Sequence, residues 1–451
     1  MIKKIFLFSV IISQLTVSCS GNDDSDSTSE GSLTEQIANI VKQPYSKLTP
    51  AEQKVKLEAE ANEMLVQMSK SKTSGAIEAI QNLGNLLSIN SVDIFNGKND
   101  NEIEDILNVS GVYGIYTWNN STKIWAKTAS ATELKFVFPA KATQTSNNAT
   151  LSSKSNSSNI KIKLEDSYNW QSGTTINDEF YLPTSVEAIL TIDNAQAATF
   201  ATNAKYTGTI ETPDESSFKM VLNDGYTYEI SGSKKATQNT AKSSFTYNGK
   251  NLVSFTAGST ADIDALIKDE DLTQYQGKAN GLVQIMDDFI IVAEMDIATQ
   301  TKDEEALEKS LVYPSYPYYD NPKADFKAYY TAQNTNYKKY SEGNVVNSNK
   351  NLKLILVSKK DGTKIADVIY RSEKAESYNY ELPVWIKDSY YPTGGYWTTT
   401  GNGAAITIQY YDEVLYLKFN DSTEVAMSTY FSEGFDKLET KFEDFLKAFE
   451  R

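Results

Sequence analysis

The chain has no histidine in 451 residues and a single cysteine, Cys19. Without histidine there is no Ser-His-Asp or Cys-His catalysis. Imidazole-ligated zinc, copper or iron is excluded, and so is the usual general base near neutral pH. With one cysteine there is no internal disulfide, so packing must hold the fold together. Basic clusters are missing too. The 43 Lys and Arg stand against 59 Asp and Glu, a net charge of −16 that is repelled by nucleic acid and by anionic membrane faces. Neither Gly-x-x-x-x-Gly-Lys-Ser/Thr nor a strand-led Gly-x-Gly-x-x-Gly occurs, which removes the usual phosphate loops. What survives is carboxylate chemistry, Ser-Lys chemistry, tyrosine, and calcium held by oxygen ligands. The abundance of Lys, Asn, Ile and Tyr indicates compositional drift, which explains the missing histidine without a functional cause.

The N-terminus is the most specific segment present. Met1-Ile2-Lys3-Lys4 is followed by the apolar run Ile5 to Ile12 and then by Leu15-Thr16-Val17-Ser18-Cys19. A charged start, a short apolar stretch and a small residue before the cut describe a secretory signal over residues 1–18, too short to span a membrane. The cysteine at the cut resembles the lipobox of bacterial lipoproteins, whose sulfur carries a diacylglyceryl anchor. That resemblance implies lipidation at Cys19 and a mature chain held on the membrane by several acyl chains, since one chain alone binds only marginally. Cleavage removes Lys3 and Lys4 and no acid, so the net charge becomes −18. Residues 19–32 are acidic and Ser-rich, with nothing to bury, and read as a tether. Asp23, Asp24 and Asp26 beside the cysteine resemble the export signal of surface lipoproteins in the Bacteroidota; a solvated spacer is the plainer reading. The expected location is the outer membrane, lipid-anchored and facing the surface.

Residues 33–108 read as a helical segment. Thr49-Pro50-Ala51-Glu52 is a capping box with proline at the first helical position, followed by an apolar face of Leu57, Ala61, Met64, Leu65 and Met68. A second helix starts near Ser74, with Ile77, Ile80, Leu83 and Leu87 on one side. From Gly111 the period changes to two, opening an antiparallel β region over 109–300. Val112 to Trp118 and Lys123 to Lys127 form a hairpin about Asn119-Asn120, and Leu134, Phe136 and Phe138 alternate in the next strand. Residues 141–159 are rich in Ser, Thr and Asn and read as a mobile loop. Asp193-Asn194, Asn223-Asp224-Gly225 and Asn248-Gly249 fall about 25–30 residues apart between alternating segments, the signature of consecutive hairpins in a meander.

The segment 262–310 reads as an acidic helical patch from Asp262 to Asp271, an apolar stretch from Leu282 to Met295, and a helix from Asp303 to Leu311. A second β region with a C-terminal helix covers 301–451. Its strands are Leu352–Val357, Ile365–Tyr370, Ala405–Tyr410 and Val414–Phe419, with a turn at Lys360-Asp361-Gly362 and another at Tyr411-Asp412-Glu413. The closing helix starts near Ser432 and carries Phe435, Leu438, Phe442, Phe445, Leu446 and Phe449 on one stripe. The stretch Gly111 to Phe138, with Trp118, Trp125 and Phe136-Val137-Phe138-Pro139, resembles β-rich Bacteroidota lipoproteins with long meanders, a resemblance that implies no activity. The fold expected is α+β: an extended antiparallel meander with N-terminal helices and a C-terminal helix packed on the sheet. Whether the β region is one sheet or two sub-domains split near residue 300 stays open.

Three sets of residues carry candidate chemistry. Tyr313, Tyr316, Tyr318 and Tyr319 crowd one loop, and Tyr390, Tyr391, Tyr396 and Trp397 flank Pro392-Thr393-Gly394-Gly395 in another. Exposed rings beside polar groups suit a glycan, because the ring covers the apolar face of a sugar while its neighbours take the hydroxyls. Tyr316, Tyr319, Tyr391, Tyr396 and Trp397 are the ligand-binding candidates; ordinary strand-forming tyrosine is the plain alternative. Asp287, Asp288 and Glu294 lie in the most apolar acidic segment and could form a glycosidase pair, or simply sit at strand ends. Asp262, Asp264, Asp269, Glu270 and Asp271 are oxygen ligands without a calcium-loop pattern, and fit an acidic helix face better. The Ser-x-x-Lys match at Ser69-Lys70-Ser71-Lys72 is of a kind frequent by chance in such a chain. No cofactor, no metal and no nucleic-acid partner is expected. The leading expectation is a non-catalytic, membrane-anchored binding or scaffold lipoprotein. Its ligand is a glycan, an apolar molecule or an outer-membrane protein partner. The alternatives are a carboxylate-dependent glycoside hydrolase and a structural or adhesive surface protein.

Overall fold

The computed structural model describes residues 32–431, apart from 72, 91, 93, 95–105, 236–237, 263–264, 266–276 and 402. Three helices come first: α1 (Leu33–Val41), α2 (Pro50–Ser71) and α3 (Gly75–Ile89). Each of the first two starts on a reciprocal capping box, which satisfies backbone N–H groups that a helix start leaves unpaired. Ser32 N donates to Glu35 Oε2 at 2.8 Å and Glu35 N to Ser32 Oγ at 3.4 Å. Thr49 and Glu52 repeat the pattern at 2.8 and 3.3 Å, as the sequence predicts.

The strands follow. They are β1 (Gly114–Asn119), β2 (Ile124–Thr128), β3 (Leu134–Phe138), β4 (Ala149–Asn169), β5 (Thr174–Ile192), β6 (Ala195–Lys205), β7 (Glu215–Leu222), β8 (Tyr226–Ser233) and β9 (Asn239–Tyr247). The series continues with β10 (Lys250–Ser259), β11 (Lys278–Ile285), β12 (Phe289–Asp296), β13 (Leu352–Ser358), β14 (Thr363–Glu381), β15 (Val384–Lys387), β16 (Gly395–Thr398), β17 (Ala405–Lys418) and β18 (Glu424–Ala426). Sixteen of these form one sheet, in the order β18-β17-β14-β13-β12-β11-β10-β9-β8-β7-β6-β5-β4-β3-β1-β2. At about 4.8 Å per step this ladder runs some 70 Å. Neighbours are antiparallel except β1 and β3, which pair in parallel. The fold is α+β, and the ladder passes from β12 to β13 across an insertion holding α4 (Ile297–Lys309) and α5 (Phe326–Asn351). A short C-terminal helix, α6 (Met427–Tyr430), packs back on the sheet through Tyr430.

Alternating strand direction sorts the connections onto two edges. The lower edge holds tight turns at Asp193-Asn194, Asn223-Asp224-Gly225, Asn248-Gly249, Asp287-Asp288 and Lys360-Asp361-Gly362. The upper edge holds the long connections and the two longest hairpins. β4 and β5 pair as far as Asn169 with Thr174, whereas β3 reaches only Ser153 and β6 only Ser185. β14 and β17 likewise pair as far as Glu381 with Ala405, well past the point where β13 begins. Each hairpin therefore leaves the sheet as a two-stranded ribbon, roughly 40 Å long at 3.3 Å per residue.

The two faces differ, as period-two patterning requires. On one face Phe136, Leu151, Leu190, Phe200 and Leu222 are buried beneath Met64 and Met68 of α2 and Leu83 and Leu87 of α3. Phe289, Leu356 and Leu417 continue that face under Leu57 of α2 and Tyr430 of α6. The other face is largely polar: one row across the strands runs Ser152, Ile189, Thr199, Val221, Thr227 and Thr246, and the next runs Lys154, Glu187, Ala201, Lys219, Glu229 and Ser244. It is continuously apolar at Ile290, Val292, Ile355 and Val357, where Ile37 of α1 seals it. Thus α1 and α2 lie on opposite faces. The chain between them crosses the lower edge as a strap: Ser46 N donates to Lys364 O and Lys364 N to Pro44 O, both at 2.8 Å.

Several expectations are corrected. Residues 149–159 belong to β4 rather than to a mobile loop: Ala149, Leu151 and Ser153 face the core, so alternation survives in a Ser- and Thr-rich run. Tyr411-Asp412-Glu413 is not a turn, because β17 runs through it and pairs with β14. Helix α5 has no counterpart in the sequence reading. The acidic patch beyond Asp262, apart from Ala265, and the helix expected from Ser432 lie outside the described residues, as do Cys19 and its tether.

Candidate functional site

The β14–β17 ribbon would be a bare two-stranded arm without α5. An isolated ribbon is marginal in water, and its edges offer unpaired N–H and C=O groups. Asp325 caps the start of α5, its Oδ1 accepting from Ala328 N at 2.8 Å. The helix then lies along β14 and β17 and clasps them with two asparagines. Asn334 Nδ2 donates to Thr407 O at 2.7 Å while its Oδ1 accepts from Gln409 N at 3.0 Å. Asn349 does the same to one residue of β14, donating to Tyr370 O and accepting from Tyr370 N at 3.0 and 2.8 Å. Each carboxamide stands in for a missing strand. One turn before Asn334, Tyr330 packs on Tyr380, with ring centroids 4.2 Å apart, and between the two asparagines Tyr337 packs on Tyr410 at 5.1 Å.

This scaffold brings the two Tyr-rich segments together. Trp397 N donates to Tyr319 O at 3.4 Å and its indole Nε1 to Asn321 O at 2.8 Å. Rings continue from Tyr319 through Phe326 and Trp397 to Trp385, at 4.9, 5.2 and 5.7 Å and with planes 63–68° apart. On the other side Tyr316 meets Tyr318 and Tyr329 edge to face at 5.0 and 5.5 Å. Tyr391 lies between Tyr390 and Tyr396 at 5.7 and 4.9 Å. Gly395 is required where β16 meets β15: a Cβ there would stand 2.2 Å from Ile386 O and 2.8 Å from the Trp385 ring.

The candidates divide by exposure. Tyr316, Tyr319 and Tyr391 are exposed, together with Tyr313, Tyr318 and Tyr390; Tyr396 and Trp397 are half-buried, and the Trp397 indole N–H is already committed. The rings stand mostly edge to face, so they form a faceted patch and not a row of coplanar platforms. Sequence reasoning missed Tyr329, Tyr330, Tyr337, Tyr378, Tyr380 and Tyr410. The signal was there: Tyr330 and Tyr337 are seven apart on one helix face, and Tyr378 and Tyr380 alternate on one strand face.

Phenols at the base of the patch are hard to ionise. Burial, then hydrogen bonds with the hydroxyls of Tyr319 and Tyr330, push Tyr380 well above the usual phenol range; Tyr319 Oη lies 3.1 Å from Tyr380 Oη. Burial, then the neighbouring Tyr410, raises Tyr337. Such groups donate and accept hydrogen bonds but are poor bases. At the end of β14, Glu381 Oε1 accepts from Thr400 N, Gly401 N and Gly403 N at 3.0, 2.8 and 2.9 Å. Those amides, Gly403 foremost, hold its carboxyl below the usual carboxylate range and pin the loop between β16 and β17.

The other candidates are not brought together. Asp288 is buried at the β12–β13 end, its Oδ1 accepting from Ser358 Oγ and Lys360 N at 2.8 Å, which makes it a turn cap. Glu294 lies six residues along β12, roughly 20 Å away. Ser71 is buried, its Oγ donating to Met68 O at 2.6 Å. Among the described residues no group of three or more acidic side chains could hold a metal ion. A groove of about 740 Å³ beside α5, lined by Leu307, Thr335, Lys338, Glu342 and Val346, is open along its length. Among the described residues no helix is long and apolar enough to cross a membrane. Comparison with family models, with curated proteins and with solved structures finds no match to this chain.

Proposed function

We propose that the protein is a non-catalytic, membrane-anchored binding or scaffold lipoprotein. In this reading lipid on Cys19 holds it on the surface side of the outer membrane, and the aromatic patch is its contact site. One observation carries the choice of site: two Tyr-rich segments some 70 residues apart meet where Trp397 packs on Phe326 and bonds Asn321 beside Tyr319, at a junction braced by a dedicated helix. The chemistry of neutral hydroxyls on apolar rings suits a glycan, whose faces and edges need both. A scaffold without a small ligand is the second reading, favoured by the broad polar face of Ser152, Thr199, Thr227 and Thr246. A glycoside hydrolase draws no support from Asp288 and Glu294, which lie too far apart to face one bond.

The test is a glycan array probed with a soluble form beginning at Ser32, beside a control carrying Tyr316→Ala and Tyr391→Ala. Binding by the first and not by the control is the expected outcome. No signal above the control refutes the glycan reading and leaves the scaffold reading in place.

A further inference from the structure

The two edges of the sheet differ in chemistry as well as in loop length. The lower edge presents Asp193, Asp224, Asp287 and Asp361, with Lys359 and Lys360, in turns two to four residues long. The upper edge presents the aromatic patch on one ribbon and Trp170, 88% exposed, at the tip of the other. The described chain starts at that upper edge. Leu33 Cδ2 lies 3.4 Å from where a Cβ on Gly258 would stand, at the upper end of β10, and Asn280 Nδ2 donates to Thr34 Oγ1 at 3.5 Å at the start of β11. The strand that carries the patch, β14, is three places from β11 in the ladder.

Cys19 precedes Ser32 by thirteen residues. Even fully extended they reach only about 45 Å. An anchor at Cys19 therefore keeps the start of α1, at the upper edge, within about 45 Å of the membrane. Aromatic side chains with polar tips are the groups that settle at a membrane–water boundary. The patch is not an acyl-chain wedge, however. Most of its rings pack edge to face, the hydroxyls of Tyr319 and Tyr380 bond each other, and Val312 is the one strongly exposed aliphatic side chain in its flanking loop.

We propose that the patch engages the sugar headgroups of glycolipids in the same membrane that holds the chain. This rests on the anchoring and contact-site reading above, and names where its ligand is carried. Sugars supply flat C–H faces for the exposed rings, Tyr316 in one group and Tyr391 in the other, and hydroxyl edges for the phenols around them. Confinement by the tether raises the effective concentration of such a ligand, so a weak contact suffices.

The full-length lipidated protein tests this in phosphatidylcholine vesicles that contain a spin-labelled quencher lipid. A fluorophore is placed on Ser315→Cys, between Tyr313 and Tyr316, or on Asn223→Cys in a lower-edge turn. Cys19 is occupied by lipid, so the new thiol is the one labelled. With a disaccharide-bearing diacylglycerol in the vesicles, the probe at 315 should be quenched several-fold more than the probe at 223. That excess should fall sharply without the glycolipid, or with Tyr316→Ser and Tyr391→Ser combined. Equal quenching with and without glycolipid overturns the sugar assignment in favour of the bilayer surface itself. Quenching at 315 no greater than at 223, on protein retained by the vesicles, overturns the proposal while anchoring stands. Failure of wild-type protein to stay on vesicles overturns anchoring and the proposal together. Binding to free glycans with no quenching at 315 leaves the glycan reading intact and removes the membrane as its source.

Discussion

At the scale of single residues, the patch depends on side chains that imitate backbone. Asn334 fills the place of a strand next to β17, and replacing it with alanine leaves Thr407 O and Gln409 N to water. A typical hydrogen bond contributes about 1 kcal/mol net, so Asn334→Ala should lower unfolding stability by about 1–2 kcal/mol in a denaturant titration. Asn334→Asp should do no better, because a carboxylate cannot donate to Thr407 O. Glu381 gives a pH signature. Its folded pKa lies below the ordinary 4.5, so its contribution is present above that value and is lost as the pH falls through the depressed one. The amide chemical shifts of Gly401 and Gly403 should stay constant down to about pH 4.5 and move below it. Glu381→Gln should shift them at every pH.

At the scale of elements, the hairpins were legible and the bracing helix was not. Asp193-Asn194, Asn223-Asp224-Gly225 and Asn248-Gly249 announce their turns because tight hairpins need residues that tolerate positive φ; Asp193, Asn194, Asn248 and Gly225 all adopt it. Helix α5 is silent because a packed helix is normally read from an aliphatic stripe, whereas it docks through Tyr330, Tyr337, Asn334, Ser341 and Asn349. Strand β4 was obscured by the same habit: Ser and Thr fill its outward positions and some inward ones. The Tyr-rich loops were legible as a composition, but their meeting was not, since it depends on a ribbon and a helix that neither loop contains. Helix α1 is small enough to test alone. Ile37 is fully buried against Ile290, Val292, Ile355 and Val357, and Ile37→Ala should cost about 2–5 kcal/mol if the four do not collapse onto the gap. Thermal unfolding and protease cleavage near Pro44 would both report it.

At the scale of the whole molecule, the sheet is a long wall with helices on its apolar face, a polar face opposite and two unlike edges. The anchoring reading predicts that Cys19→Ala releases the protein to the soluble fraction; retention in the membrane pellet would refute it. The strap from Pro44 to Ser46 has a mechanical consequence. Drag on the segment before Ser32 pulls α1 upward along the strands, and α1 is continuous with a loop that pairs edge-on with Lys364 at the lower end of β14. The strap then behaves as a hook under a rail. Tension draws it tighter against Lys364 and spreads the load over neighbouring strands, where the same pull on a terminal strand would unzip the wall one hydrogen bond at a time.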